Sequence, residues 1–359
     1  MKIGWMFGTP EKEPVGVNNV IRDIGAAILE QDKSNEYFAL ESNYLHFPIK
    51  SITDVKMNEG VWEGKRKGLL AEIYGIDVIY SFFNPIHEIR CESKKIFMVH
   101  DLIPLIHPEW HSAYDFFNGP IRQSCEVADK IVAVSEATKR DIVSCYNIAP
   151  EKVRVIYHGV SKTLDFENAN QDVCKQYELY DGYILSVCTL EPRKNLRGLI
   201  EAFTQFRESN KNSRTKLVLT GKAGWDTEFR NYVESLGSIK RDIILTGFVS
   251  DYTLAGLYKY ATAVAYVSFY EGFGLPVLEA MAAGKAVISS NTSSMPEVGG
   301  DAVIYCDPYK IESIAEALEK VVKNEKLRKE YEIKAKKQAQ KFSYEFSAKE
   351  NIELLKELI

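Results

Sequence analysis

Several things that would steer a functional reading are scarce or missing in this chain of 359 residues. Its six cysteines, Cys91, Cys125, Cys145, Cys174, Cys188 and Cys306, are scattered, with no C-x-x-C among them. That pattern excludes a disulfide scaffold and points to reduced, mostly buried thiols. No Asp-x-Asp occurs, so a divalent ion held on closely spaced carboxylates is not suggested. The net charge is -5, which removes any global attraction to nucleic acid. No apolar run approaches the ~20 residues that a membrane span needs. The opening MKIGWMFGTP reaches glycine and proline too early for a signal peptide. Low-complexity segments and short-period repeats are also missing. Together these absences lead us to expect a cytoplasmic protein with no metal and no cofactor.

What is present is an ordinary globular composition, 45% hydrophobic and 26% charged, in a chain long enough for two domains. Strand-like apolar runs alternate with amphipathic helical stretches, the pattern of βα units and parallel sheets. In the first half the strands read Lys2–Phe7, Tyr37–Glu41, Asp77–Ser81, Lys95–His100, Lys130–Ser135 and Val153–Tyr157, with helices over Val17–Glu30 and Glu136–Cys145. The polar, aperiodic stretch Ser161–Asp181 reads as a linker. A second series follows: strands Tyr183–Cys188, Lys216–Leu219, Ile243–Leu245, Ala263–Val267, Ala286–Ser289 and Val303–Tyr305, with helices Leu196–Glu208, Thr227–Leu236 and Thr253–Tyr260. Ile311–Lys341 reads as helical and lysine-rich, and Tyr344–Leu358 as another amphipathic helix. The fold class expected is α/β, with two Rossmann-like domains whose parallel sheets face each other across a cleft. Their boundaries are set at residues 1–165 and 166–341, with 342–359 as a separate terminal helix.

The most informative stretch is EGFGLPVLE, residues 271–279. The apolar run before it suits a buried parallel strand. Gly272 and Gly274 permit a tight turn in which backbone N–H groups approach a ligand without a Cβ in the way. Pro276 suits the first turn of a helix over Leu275–Ala283. Glu271 is therefore expected at the carboxyl end of a strand, where open α/β sheets bind ligands, and Glu279 about one turn into the helix. Two acceptor carboxylates flanking free N–H donors suit a polyhydroxylated ligand. Either glutamate alone would read as a cap or a solvated charge; the pair around FGLP is far more specific.

Positive charge is expected at Leu190-Glu191-Pro192-Arg193-Lys194-Asn195, between the Tyr183–Cys188 strand and a helix. Arg193 and Lys194 stand side by side there, with Asn195 as the expected helix cap, and form an anion site together with the helix dipole. Lys222, in Thr220-Gly221-Lys222-Ala223-Gly224, is a second glycine-flanked cation at a strand end. Gly8 and the Val15-Gly16-Val17 turn give a third place where backbone can approach a phosphate.

These motifs resemble glycosyltransferase family 4, the retaining nucleotide-sugar transferases of GT-B fold. EGFGLPVLEAMAAGKAVISS is similar to that family's E-x7-E signature, and SVCTLEPRKNLRGLIEAF to its donor-phosphate segment. VHDLIPLIHPEW and ADKIVAVSEATKRDI resemble its N-terminal half, so the likeness runs from about Lys95 to Pro308. The resemblance implies that Arg193 and Lys194 bind the donor diphosphate and that Glu271 holds a sugar hydroxyl. It implies further that Phe273, Gly274 and Leu275 offer backbone N–H groups, that Glu279 takes the ribose hydroxyls, and that Val249, in TGFVSD, lies near the nucleobase. Gly16 would lie over the phosphates, although PVGVNN has one glycine where many relatives have two. His100, followed by Asp101, matches a histidine that contacts the transferred sugar. The N-terminal domain would serve the acceptor, the second the donor nucleotide, and the terminal helix would cross back onto the first.

The activity so implied is transfer of a hexose, mannose first, from a nucleoside diphosphate sugar (GDP- or UDP-linked) to an acceptor hydroxyl. The acceptor would be a saccharide or lipid-linked saccharide in polysaccharide, O-antigen or glycolipid synthesis, the mannose and O-antigen reading resting on HDLIPLIHPEW. A nucleotide-sugar epimerase or hydrolase on the same scaffold is the alternative, distinguished by acceptor-independent turnover. A non-catalytic binding subunit is a third, disfavoured because both glutamates and both cations are present. Val61–Tyr74 mixes basic, aromatic and apolar residues, and reads either as a peripheral contact with the inner face of the membrane or as an ordinary amphipathic helix.

Overall fold

The computed structural model describes residues 1–8, 16–41, 45–52, 63–111 and 113–358. Val15 and the start of the Val61–Tyr74 stretch, residues 61 and 62, lie outside them. The chain forms two compact units, Met1–Ser161 with Ser343–Ile359, and Lys162–Phe342.

The first unit is built on a seven-stranded, all-parallel sheet in the order β3-β2-β1-β4-β5-β6-β7. Its strands are β1 (Lys2–Met6), β2 (Glu36–Ala39), β3 (Lys50–Ser51), β4 (Val78–Ser81), β5 (Lys94–Val99), β6 (Lys130–Ala133) and β7 (Val153–Val155). The central strands are buried along nearly their whole length, so they read as continuous apolar runs rather than alternating ones. The short edge strand β3 escaped the sequence reading because two exposed residues carry no pattern. The helix Val17–Gln31 packs Val20, Ile21, Ile24, Ala27 and Ile28 inward at helical spacing.

The last helix, Tyr344–Lys356, belongs to this unit. Ser343 caps it, its hydroxyl accepting from the Phe346 N–H at 3.2 Å. Its buried Asn351 accepts a hydrogen bond from the fully buried Tyr80 hydroxyl on β4, and the Ser347 hydroxyl donates to the Tyr157 carbonyl. Gly159 makes the close approach possible: a Cβ there would stand 2.2 Å from the Tyr344 nitrogen.

The second unit carries a six-stranded parallel sheet in the order β10-β9-β8-β11-β12-β13. These strands are β8 (Tyr183–Val187), β9 (Lys216–Thr220), β10 (Ile243–Gly247), β11 (Ala263–Tyr266), β12 (Val287–Ser290) and β13 (Ile304–Cys306). The strand order runs outward in both directions from β8 and β11, so the topological switch point lies between them. Loops leaving neighbouring strands there diverge to opposite faces and open a crevice at the carboxyl edge.

Two readings of local structure need correction. Ser161–Asp181 is no tether: from Lys162 it is part of the second unit, with Leu164, Ala169, Val173, Cys174 and Leu179 buried and a short helix over Asp172–Gln176. Lys259 Nζ donates to the carbonyls of Glu167 and Ala169, pinning a segment whose polarity had hidden its few apolar anchors. The lysine-rich stretch is two helices, Ile311–Lys323 and Glu325–Ala339, broken at Asn324, whose side chain accepts from the Leu327 N–H at 3.0 Å and starts the second.

Candidate active site

At the switch point of the second sheet, the loops after β8 and β11 bring together three of the residues singled out by sequence. Arg193 Nη1 donates to Glu271 Oε2 at 2.6 Å, and Lys194 Nζ to Glu271 Oε1 at 2.6 Å. Two further groups, not foreseen, complete the network. Arg193 Nε donates to Glu191 Oε2 at 2.8 Å, and the Tyr266 hydroxyl, from the end of β11, bridges Lys194 Nζ and Glu271 Oε1 at 2.8 Å each. Glu191, Lys194 and Glu271 are all at most 8% exposed, so these are charges taken out of water, and they persist because each is paired. Burial by itself would raise the Glu271 pKa; the adjacent Arg193 and Lys194 more than offset that and hold it down at about 2. Burial and the neighbouring Glu271 carboxylate push the Tyr266 hydroxyl well above its usual range, so it remains a hydrogen-bond donor.

The turn that follows Glu271 is stapled from the loop after β12. Ser293 Oγ accepts from the Glu271 N–H at 3.0 Å, while Ser294 Oγ lies 3.0 Å from the Glu271 carbonyl and 2.9 Å from the Phe273 carbonyl. Gly274 turns the chain at φ +99°, in the left-handed region, and precedes the helix Leu275–Ala282. A Cβ on Gly274 would approach Met295 Sδ to 2.9 Å. Leu275, in the first turn, has no intrahelical acceptor for its N–H, which leaves a donor at the positive end of the helix dipole. Phe273 itself is buried against Phe342. Glu279, one turn on, accepts from the buried Tyr258 hydroxyl at 2.7 Å, which fixes its carboxylate.

The remaining candidates are placed more loosely. Lys222 leaves β9 just after Gly221, and its ammonium stands 5.6 Å from the Phe248 ring. Val249 is half-buried in the loop after β10. Asn195 does not cap the helix Leu196–Ser209: it adopts the left-handed region at φ 54° and its amide donates instead to the carbonyls of Val267 and Pro308, at 3.2 and 2.8 Å. It therefore ties the β8 loop to its neighbours rather than satisfying the helix end.

His100 and Gly16 belong to the first unit. His100 follows β5, and its Nε2 lies 2.8 Å from the Phe82 carbonyl; since a carbonyl only accepts, Nε2 carries the proton and Nδ1 is left as the acceptor. Burial lowers its pKa, so the ring is neutral near neutral pH. Its ring stacks on that of the buried His158 at 5.8 Å. Gly16, at φ 53°, immediately precedes the helix Val17–Gln31. Among the described residues no group of three or more His, Cys, Asp or Glu side chains is arranged to hold a metal ion.

Tyr266, Tyr258, Ser293, Ser294 and Glu191 had no distinguishing signal in sequence, except that Glu191 adjoins the Arg-Lys pair.

An α/β chain of two parallel-sheet units with ligand-type loops at a switch point matches the GT-B fold. A solved structure titled as Anabaena Alr3699/HepE in complex with UDP superposes over 99% of this chain and all of its own, with a TM-score of 0.79 at 18% identity. Two family models match, one described as glycosyl transferases group 1 over residues 175–338 and one as Glycosyltransferase Family 4 over residues 62–164. The chain is 32% identical over 253 residues to the O-antigen chain mannosyltransferase B of Escherichia coli, a match covering 68% of this chain and 66% of that protein. It is also 32% identical over 261 residues to the E. coli serotype-specific mannosyltransferase WbdA, covering 70% of this chain but only 32% of that longer protein. The chain belongs to glycosyltransferase family 4.

Proposed function

We propose that this protein transfers a hexose, mannose in the first place, from a nucleoside diphosphate sugar to a hydroxyl of a saccharide or lipid-linked saccharide, with retention of configuration. The observation that carries the reading is the convergence of Arg193 and Lys194 on Glu271 beside the Gly274 turn at the β8/β11 switch point. The mannosyl preference is supported by the names of the two E. coli relatives; GDP-mannose as first donor, ahead of UDP-sugars, follows from the HDLIPLIHPEW resemblance alone.

On this reading the cations do double duty. Cleavage of the sugar–phosphate bond builds negative charge on the departing diphosphate and positive charge on the sugar ring. Arg193 and Lys194, held together at this strand end, turn from Glu271 to the diphosphate when the donor binds and then stabilise the first, an effect worth about 10²–10³ in turnover for one such donor. As the phosphates take up these cations, Glu271 is released from its pairing and its carboxylate accepts a sugar hydroxyl. The N–H groups around Gly274 supply further donors, and Glu279, held by Tyr258, faces the ribose. Glu271 positions the sugar and does not attack it; the acceptor approaches on the leaving-group face, where the phosphate takes its proton. His100 offers Nδ1 as an acceptor toward the transferred sugar. The first unit serves the acceptor and the second the donor nucleotide, with Lys222 toward the phosphates, Val249 toward the base and Gly16 over the diphosphate. The reaction belongs to the cytoplasm, with peripheral contact at the inner face of the membrane where lipid-linked acceptors are held; among the described residues no helix is long and apolar enough to cross one.

The test is a panel of nucleotide sugars against the purified full chain. At a hundredfold excess over Kd a true donor stabilises the protein by about 2.7 kcal/mol, enough to move the midpoint by several degrees. GDP-mannose is expected to give the largest shift and, with a mannosylated acceptor, a product whose anomeric configuration NMR reads as retained. A panel in which no nucleotide sugar shifts the midpoint defeats the reading.

A further inference from the structure

A cavity of about 440 Å³ opens beside the Glu191–Asn195 loop, lined among others by Glu191, Leu196, Arg197, Asp226, Phe229 and Phe269. None of Arg193, Lys194, Glu271, Gly274 or Glu279 lines it, and the mechanism above gives it no role. Its volume falls within the roughly 300–1,000 Å³ of small-molecule sites. Its polar groups are held in place. Arg197 Nη2 donates to both oxygens of Asp226, at 3.0 and 3.2 Å, while its guanidinium lies 4.7 Å from the centre of the Tyr232 ring. On another side Phe269 is stacked with Tyr309, ring centres 4.8 Å apart.

Each lining carboxylate is already paired with a guanidinium, Asp226 with Arg197 and Glu191 with Arg193, so the wall holds no surplus positive charge to draw a phosphate or any other anion. Carboxylate acceptors, a fixed guanidinium donor and aromatic walls match a neutral ligand rich in hydroxyls: its O–H groups donate to Glu191 and Asp226, and its C–H face packs on Phe269. Glu191 also belongs to the neighbouring network, since its Oε2 accepts from Arg193 Nε at 2.8 Å. We propose that this cavity binds a neutral saccharide, and that through Glu191 its occupancy tightens the hold of Arg193 on a diphosphate. A hydroxyl that donates to Glu191 shares that carboxylate and weakens its claim on Arg193, which becomes the stronger donor to phosphate. The coupling half of the proposal rests on Arg193 being the diphosphate ligand; the binding half does not. Linkage makes the effect reciprocal, so GDP must tighten saccharide binding by the same factor.

The test is calorimetry on the full chain with methyl α-mannopyranoside as the saccharide probe and GDP as the nucleotide probe. Saturable millimolar binding of the saccharide is expected, weakened at least about tenfold by Asp226→Asn and by Phe269→Leu, two variants on different walls. Circular dichroism and the thermal midpoint check that each is folded, and Phe269→Leu keeps the Arg197–Asp226 pair should Asp226→Asn fail that check. At saturating saccharide the GDP Kd is expected to fall about threefold to tenfold (roughly 0.7–1.4 kcal/mol), and Glu191→Gln is expected to abolish that change. Saccharide binding that neither wall variant weakens, or none at all while GDP binds, overturns the cavity site and leaves the donor reading standing. Wall-sensitive saccharide binding in a protein that binds no nucleotide defeats the donor reading and supports the site. Wall-sensitive binding with an unchanged GDP Kd overturns the coupling.

Discussion

Replacing Glu271 by glutamine should cost stability in a manner that depends on pH, because the glutamate's contribution comes from its charge. In the folded protein Arg193 and Lys194 hold its pKa at about 2, against an ordinary value of 4.5. At 1.36 kcal/mol per pH unit, that displacement corresponds to about 3 kcal/mol of preferential stabilisation of the ionised carboxylate in the native state. The group is buried, so no large discount for solvent screening applies. The sign follows from proton counting: below 4.5 the unfolded chain takes up a proton that the folded one refuses. The contribution is therefore complete above about 4.5 and is lost as pH falls toward 2. Glutamine keeps the shape and a hydrogen-bond acceptor but leaves the two buried cations short of a counter-charge. The assay is urea denaturation of both proteins followed by Trp225 fluorescence, the one tryptophan in the sequence of the second unit, after Trp5, Trp62 and Trp110 have been replaced in a common background. The variant should be less stable by about 3 kcal/mol near pH 7, and the gap should shrink by about 1.4 kcal/mol for each pH unit below 4.5. A gap that stays constant from about pH 6 to 3.5, or one under about 1 kcal/mol at neutral pH, would refute the reasoning.

Other expectations follow from the same geometry. Arg193→Ala should lower turnover on the best donor by about 10²–10³-fold while the chain still folds, as steady-state kinetics beside circular dichroism would show; a loss within tenfold counts against its role. Gly274→Ala forces a side chain into φ +99° against Met295, and should cost about 1–3 kcal/mol and most of the donor-induced thermal shift. Asn351→Leu strands the buried Tyr80 hydroxyl, so about 1–3 kcal/mol should be lost and hydrogen exchange across Tyr344–Lys356 should accelerate; unchanged protection there would refute the anchor. Burial keeps His100 and His158 neutral below their ordinary pKa of 6.5, and for His158 the nearby His100 adds to the effect. The unfolded chain then binds protons first, so stability should fall as pH drops below about 6.5, less steeply in a His100→Gln/His158→Gln double variant, as urea midpoints would record.

Much of this protein is legible from local pattern. Buried parallel strands such as Val78–Ser81 and Ala263–Tyr266 announce themselves as apolar runs, because both faces of the sheet are covered. The turn at Gly274 is legible for an equally local reason: a strand end, a glycine free to take positive φ and a proline in the first helical turn are a dozen neighbouring residues. Signals that depend on one or two apolar anchors were not legible. Ser161–Asp181 is too polar to show that Leu164, Val173 and Cys174 hold it down, and Asn324 breaks a lysine-rich helix that composition alone would run straight through.

Sequence by itself determined the alternation of strands and helices, the order of the loops and the presence of two cations and one glutamate at strand ends, with a second glutamate one turn into the helix that follows. Only the tertiary structure decided that Glu271 is bonded to both cations at once, that Tyr266 and Tyr258 fix the two glutamates, and that Asn195 ties loops together instead of capping a helix. It also decided that the terminal helix completes the first unit. The reason is range: Arg193 and Glu271 are 78 residues apart and Tyr80 and Asn351 are 271 apart, so these contacts exist only once the parallel sheets have formed. A residue's type sets which bonds it is able to make, while burial and the partners folding brings within 3 Å select the ones it does make.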